Sequence, residues 1–192
     1  ENAPLVHENL ITKGRDSTAA KPSNIAERDF YERGDIDVGF AEADIVYEHE
    51  FTTEAFHQGY IEPHACLADT GKDGRSEIWC SSQGHFMVRS ATAKMLGWET
   101  SKIKVIPAEI GGGFGGKTTI YLEPLAVKLS EKADRPVKMV MSRDEVFKAT
   151  GPTPGTKIRV KIGAKKSGEI TAGKAWLAYQ SGAFPGPWGM LG

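Results

Sequence analysis

The chain has 192 residues, with 24 lysines and arginines against 25 aspartates and glutamates and 40% hydrophobic residues, an ordinary globular composition long enough to bury a core without staples. Charge this close to balance, with the basic residues scattered, gives no electrostatic footprint for nucleic acid. No apolar run approaches the ~20 residues that a membrane-spanning helix needs.

Cys66 and Cys80 each stand in an apolar, strand-like stretch and outside any C-x-x-C pair. They are expected as buried thiols in a reducing compartment, the cytoplasm, rather than as a disulfide. His49, His57, His64 and His85 match no zinc-ligand spacing. A start at Glu1 without methionine, and a turn-rich stretch running from Gly182 to Trp188, are expected of a piece of a longer protein.

Residues 1–33 are mixed, aperiodic and then charged, and read as an extended arm or linker; residues 34–192 read as one partial domain. Within it, residues 37–43 suit a short helix and residues 45–53 alternate as a strand. Residues 61–69 and 77–82 form a hairpin across the turn at Thr70 to Gly74, whose glycines supply positive φ. Residues 86–96 place Phe86, Met87, Ala91, Met95 and Leu96 on one helical face, with Gly97 as the C-cap. A short β-branched strand at 103–106 leads to a run of glycines. A helix follows at 119–132, its apolar face carried by Leu122, Leu125, Ala126 and Leu129. A strand at 136–141 and a hairpin of 157–162 with 170–179 complete the pattern. Hairpins and a mixed sheet with two main helices predict an α+β fold.

The run Gly111-Gly112-Gly113-Phe114-Gly115-Gly116-Lys117-Thr118 fits the phosphate-loop pattern G-x-x-x-x-G-K-[ST] and lies between a predicted strand and a predicted helix. In a nucleotide-binding reading its backbone N–H groups cradle phosphates, Lys117 reaches the β- and γ-phosphates, and Thr118 holds magnesium. The flanking hairpins speak against the parallel sheet that such a domain wants. Glycines ahead of an aromatic also suit a backbone that approaches a flat ligand closely, because no Cβ intervenes.

The same loop resembles the cofactor loop of the molybdenum hydroxylases, the xanthine dehydrogenase and aldehyde oxidase family. Glu62-Pro63, Ser82-Gln83, the helix end from Ala93 to Gly97, the stretch from Arg135 to Lys138 and that from Ser142 to Glu145 agree with it in order. The resemblance implies a molybdenum–molybdopterin cofactor, as such or as its cytosine dinucleotide, and water-dependent hydroxylation of an aldehyde or N-heterocycle. It implies that Gln83, 31 positions before Phe114, donates its amide to an oxygen ligand of the metal. The main chain at Gly112, Gly113, Phe114 and Gly115 would serve the same ligands. Phe114 would wall the substrate pocket, with Thr118 lining it where xanthine-oxidising members carry glutamate.

No residue of the chain is expected to ligate the metal directly, and the family's general-base glutamate lies beyond these segments. The implied partners are the remaining molybdenum-subunit segments, [2Fe-2S] and FAD subunits or domains, and a small-molecule substrate. Glu62 is expected as a structural carboxylate, and Lys117, in this reading, as a cap on local carbonyls.

Overall fold

In the computed structural model, which describes residues 3–12 and 21–183, the chain forms two compact units. One comprises residues up to 55 together with those from 154 on, and the other residues 56–153. In chain order the elements are α1 (Ile36–Ala41), β1 (Ile45–Thr53), β2 (Ala65–Thr70), β3 (Ser76–Cys80), α2 (His85–Leu96), β4 (Ile103–Pro107), α3 (Glu123–Ala133), β5 (Val137–Val140), α4 (Arg143–Ala149), β6 (Thr156–Ala164) and β7 (Ile170–Tyr179). The end of the turn-rich stretch, from residue 184 on, lies outside the described residues.

The first unit is an antiparallel sheet in the order β1-β6-β7. The expected hairpin of β6 and β7 is present, and Gly168 takes the positive φ of its turn at +92°. Asp35 caps α1 by accepting from the N–H groups of Asp37 and Val38, both at 3.1 Å.

The second unit is a four-stranded mixed sheet in the order β4-β3-β2-β5. The β2–β3 hairpin is antiparallel and sets Cys66 opposite Cys80; both are buried and free, and burial pushes their thiols up to about 12. β4 returns parallel to β3 after the α2 crossover. Alternate residues of the hairpin, Cys66 and Ala68 with Ile78 and Cys80, form one face and meet Val88 and Ala93 of α2 and Ala126 and Val127 of α3.

The observed fold is α+β with a mixed sheet, as expected; among the described residues α2 and α3 are the two main helices, with the shorter α1 and α4 beside them. The helices, however, match the predicted faces only in part: Leu96, Leu122 and Ala126 meet the core as expected, and the rest of each inward face is rotated. Val88, Thr92 and Ala93 of α2 and Ala126, Val127 and Ser130 of α3 are buried, while Phe86, Met95 and Leu125 are exposed. Small side chains at the contact let a helix lie close on the sheet, and a satisfied hydroxyl can join them. Ser130 Oγ accepts from Thr70 N–H at 2.9 Å and donates to the Arg135 carbonyl at 2.8 Å.

Two boundaries also move for physical reasons, at the strand after Pro63 and at the helix after the glycine loop. The strand expected at 61–69 begins only at Ala65, because Pro63 has no N–H for a ladder and Glu62 is drawn elsewhere. The helix expected at 119–132 begins at Glu123, with Pro124 in its first turn, where a missing N–H costs nothing. At Ser142 the strand gives way to α4, which opens on a reciprocal capping box between Ser142 and Glu145.

Candidate functional site

Between β4 and α3 the chain runs through residues 108–122 without helix or strand, and the glycine loop lies there. Most of its glycines are dictated by what stands behind them. A Cβ on Gly111 would lie 2.5 Å from Glu62 Cβ, one on Gly113 2.5 Å from Gln83 Oε1, and one on Gly116 2.6 Å from Tyr60 Cε1. The room that the sequence reading assigns to a flat ligand is here filled by the protein's own side chains. Gly115 is the exception in the loop: its φ is +92° and nothing stands within 4 Å of the Cβ position. Phe114 is held at φ +51°, a conformation costing a non-glycine residue of order 1 kcal/mol, and its ring is 72% exposed, so it is no core residue.

Gln83 follows β3 and is fastened to the loop at both its main chain and its side chain. Its N–H donates to the Lys117 carbonyl at 2.9 Å, and its Oε1 accepts from Gly115 N–H at 3.0 Å and Lys117 N–H at 3.1 Å. Two donors facing one atom fix that atom as the carbonyl oxygen, which leaves the NH2 end turned the other way. Among the described residues, that NH2 has no hydrogen-bond partner, and neither do the N–H groups of Gly112, Gly113 and Phe114. Thr118, exposed, donates to the Gly115 carbonyl at 2.9 Å.

Behind the loop sits a charge pair made of a buried lysine and a half-buried glutamate. The Lys117 side chain has 0% exposure, and its Nζ donates to Glu62 Oε2 at 2.6 Å, the same oxygen that accepts from Gly111 N–H at 2.7 Å. Burial works to raise the Glu62 carboxyl, but the hydrogen bonds from Lys117 and Gly111 and the charge of Lys117 outweigh it and hold the group below its usual range. Lys117 also lies 5.1 Å from the centroid of the Tyr60 ring. Tyr60 in turn bonds His64 Nε2 through its hydroxyl at 2.8 Å, and burial, with the nearby charge of Lys117, pushes His64 down to about 4.

These contacts correct two expectations. Lys117 pairs with a carboxylate rather than capping carbonyls with its ammonium. The nucleotide reading also fails, because that ammonium is turned into the protein and α3 begins five residues beyond Thr118 instead of at the loop. Sequence reasoning missed Tyr60 and Gln58, which back Gly116. The signal available was indirect: a loop stripped of Cβ atoms calls for bulky neighbours, without saying which.

The loop leaves a set of neutral donors without a partner among the described residues, the Gln83 NH2 and the N–H groups of Gly112, half-buried, Gly113, buried, and Phe114, beside an open Gly115 and the exposed Phe114 side chain. Glu62, the carboxylate that bonds the loop, has its Oε2 committed to Gly111 N–H and Lys117 Nζ. Such a surface suits a group that presents several electron-rich oxygens, and it fits the oxygen ligands of a molybdenum cofactor. The class defined is therefore a cofactor-holding domain with a donor-lined glycine loop, not a phosphate loop.

The chain belongs to the molybdopterin cofactor-binding domain family, whose model matches residues 18–191. It is 36% identical over 152 residues to the probable hypoxanthine oxidase XdhD of Escherichia coli (strain K12), covering 79% of this chain and 16% of that protein. It is 32% identical over 162 residues to the nicotinate dehydrogenase large molybdopterin subunit of Eubacterium barkeri, covering 84% of this chain and 38% of that one. The solved aldehyde oxidoreductase from Desulfovibrio gigas superposes with a TM-score of 0.65 at 27% identity, over 76% of this chain and 16% of that chain. The chain thus spans well under half the length of these relatives.

The packing behind the loop yields one direct prediction. Gly116→Ala drives a methyl against the Tyr60 ring, which is 1% exposed and has nowhere to retreat. A loss of about 1–3 kcal/mol is expected. Gly151→Ala, with open space at its Cβ position, serves as the control that leaves Tm nearly unchanged. Thermal unfolding of the two variants checks this, and equal Tm values contradict it.

Proposed function

We infer that this chain supplies part of the wall that holds a molybdenum–molybdopterin cofactor in an enzyme that hydroxylates an aldehyde or N-heterocycle with oxygen from water. The observation that carries the reading is the Gln83 amide: its carbonyl is locked by two loop N–H groups and its NH2 is left without a protein partner. The cofactor, when bound, supplies the redox centre and the activated oxygen.

The chain's own residues bind and orient it. The Gln83 NH2 and the N–H groups of Gly112, Gly113 and Phe114 donate to oxygens that carry negative charge, and Gly115 lets the main chain come close. A neutral amide suits this position because a carboxylate would repel those oxygens. The exposed Phe114 ring would exclude water from one side of the substrate, with Thr118 beside it.

The same reading takes residues 1–33 as an arm and residues 34–192 as part of the cofactor-binding domain. The cofactor is taken as molybdopterin or its cytosine dinucleotide. The remaining subunit segments, together with [2Fe-2S] and FAD domains or subunits, are the partners that receive the electrons. The paired free thiols suit a cytoplasmic location.

Elemental analysis of the intact native assembly containing this chain tests the reading. Molybdenum near one atom per chain, with iron in excess, is expected. An assembly with neither metal defeats it.

A further inference from the structure

The glycine loop is held at two points that share one residue, Lys117. Its main chain binds Gln83 in both directions, the carbonyl accepting from Gln83 N–H at 2.9 Å and the N–H donating to Gln83 Oε1 at 3.1 Å. The Ser82 hydroxyl adds a second bond to that carbonyl at 3.3 Å. Its side chain runs the other way, to Glu62 Oε2 at 2.6 Å. That oxygen also takes Gly111 N–H at 2.7 Å, while Glu62 N–H donates to the Gly111 carbonyl at 3.2 Å. One carboxylate therefore grips the first and last residues of the run from Gly111 to Lys117.

The tie is costly to make and hence specific. An ammonium with 0% exposure is tolerated only beside a counter-charge, and Glu62 is its one ion-pair partner among the described residues. The Tyr60 ring lies over Lys117, 5.1 Å from its Nζ to the ring centroid. Glu62 itself is fixed by Pro63 behind it and by Gly111, which lies too near for any side chain.

We propose that Glu62 and Lys117 form a charge clamp that closes the glycine loop and thereby sets which way the Gln83 carboxamide faces. With the clamp shut, Gly115 N–H and Lys117 N–H converge on the carbonyl oxygen, and the NH2 points out of the loop. With it open, Lys117 withdraws its share and the amide is free to turn over. Glu62 and Lys117 are positioning residues acting through Gln83, and neither needs to touch a cofactor. The functional meaning of that orientation rests on the reading of Gln83 given above, whereas the clamp is a property of the chain alone.

Hydrogen exchange followed by NMR on the full chain without cofactor tests it. In Glu62→Gln, and in the charge-free double variant Glu62→Gln/Lys117→Met, protection at the amides of Gly111, Gly115 and Lys117 is expected to fall ~10-fold or more, and the Gln83 side-chain NH2 signals to shift. The double variant separates clamping from the mere cost of burying a charge. Removing both ions restores the protection of core amides such as Ile78 and Val127, but not that of the loop. Should Glu62→Gln fail to fold, Glu62→Asp keeps the charge, shortens the reach by one methylene, and is expected to loosen the same three amides. Wild-type loop protection in the double variant, or loop and core amides falling together in Glu62→Asp, overturns the clamp. Metal content of the native assembly plays no part in this outcome, so the functional reading can fail separately.

Discussion

Gln83→Ala in the assembled enzyme is expected to lower kcat by roughly 10²–10³, the usual cost of removing one preorganised donor to a charged oxygen. The fold should survive the change. Gln83 is exposed, and water can replace its carbonyl as acceptor for Gly115 and Lys117, so the loss of stability should stay near ~1 kcal/mol. Gln83→Glu makes the sharper test. It keeps an oxygen facing both loop N–H groups, and so keeps the loop, but replaces the outward donor with a second acceptor that carries charge. Activity should fall at least as far as in the alanine variant while Tm holds. Steady-state kinetics and thermal unfolding of both variants decide the matter, and wild-type turnover in either would falsify the role given to Gln83.

The second large effect is on stability in mild acid. His64 is 5% exposed, shares a hydrogen bond with the Tyr60 hydroxyl, packs against Tyr121 at 4.6 Å between ring centroids, and is pushed from its ordinary 6.5 down to about 4. Burial is the main cause; the charges of Lys117 and His57 add to it and Glu62 opposes it. Because the folded state holds this imidazole neutral, the unfolded chain binds the extra proton between those two values. The contribution of His64 is therefore complete above pH 6.5 and drains away as pH falls to about 4.

From those values the loss comes to about 2 kcal/mol by pH 5 and about 3 kcal/mol by pH 4. His57 is lowered as well, by burial and then by Arg143, and acts in the same sense. Urea unfolding of the wild type and of His64→Gln, which keeps an acceptor for Tyr60, is the measurement. The variant should lose much less stability than the wild type between pH 6.5 and 5, a window above the range where carboxylates titrate. Parallel pH profiles would show that His64 is not the group involved.

Much of the local structure was legible in the residues themselves. β1 and β7 lie where alternation places them, Gly97 caps α2 in the left-handed conformation, and the β2–β3 and β6–β7 hairpins form across their glycine turns. These features depend on neighbours within a few positions, which is what period and turn chemistry report. The helix faces were not legible in the same way. Phe86 and Leu125 carry more apolar surface than Ala93 or Ala126, yet the smaller residues are the ones buried, because closeness of approach to a sheet is a property of two elements and not of one.

The site divides along the same line. The sequence by itself determined the family, the glycine run, and the candidates Gln83, Phe114 and Thr118, since an ordered set of short motifs survives in the residue order alone. Only the tertiary structure decided what the glycines are for and where the charges go. Glu62 and Lys117 are 55 positions apart, and Gln83 is 32 from Gly115, so nothing local binds them to one another. A lysine after a glycine loop serves a phosphate if its ammonium faces out and a carboxylate if it faces in. The choice rests on whether the fold brings an acceptor into the dry space behind the loop, and here Glu62 arrives there ahead of β2 because Pro63 keeps it out of the strand.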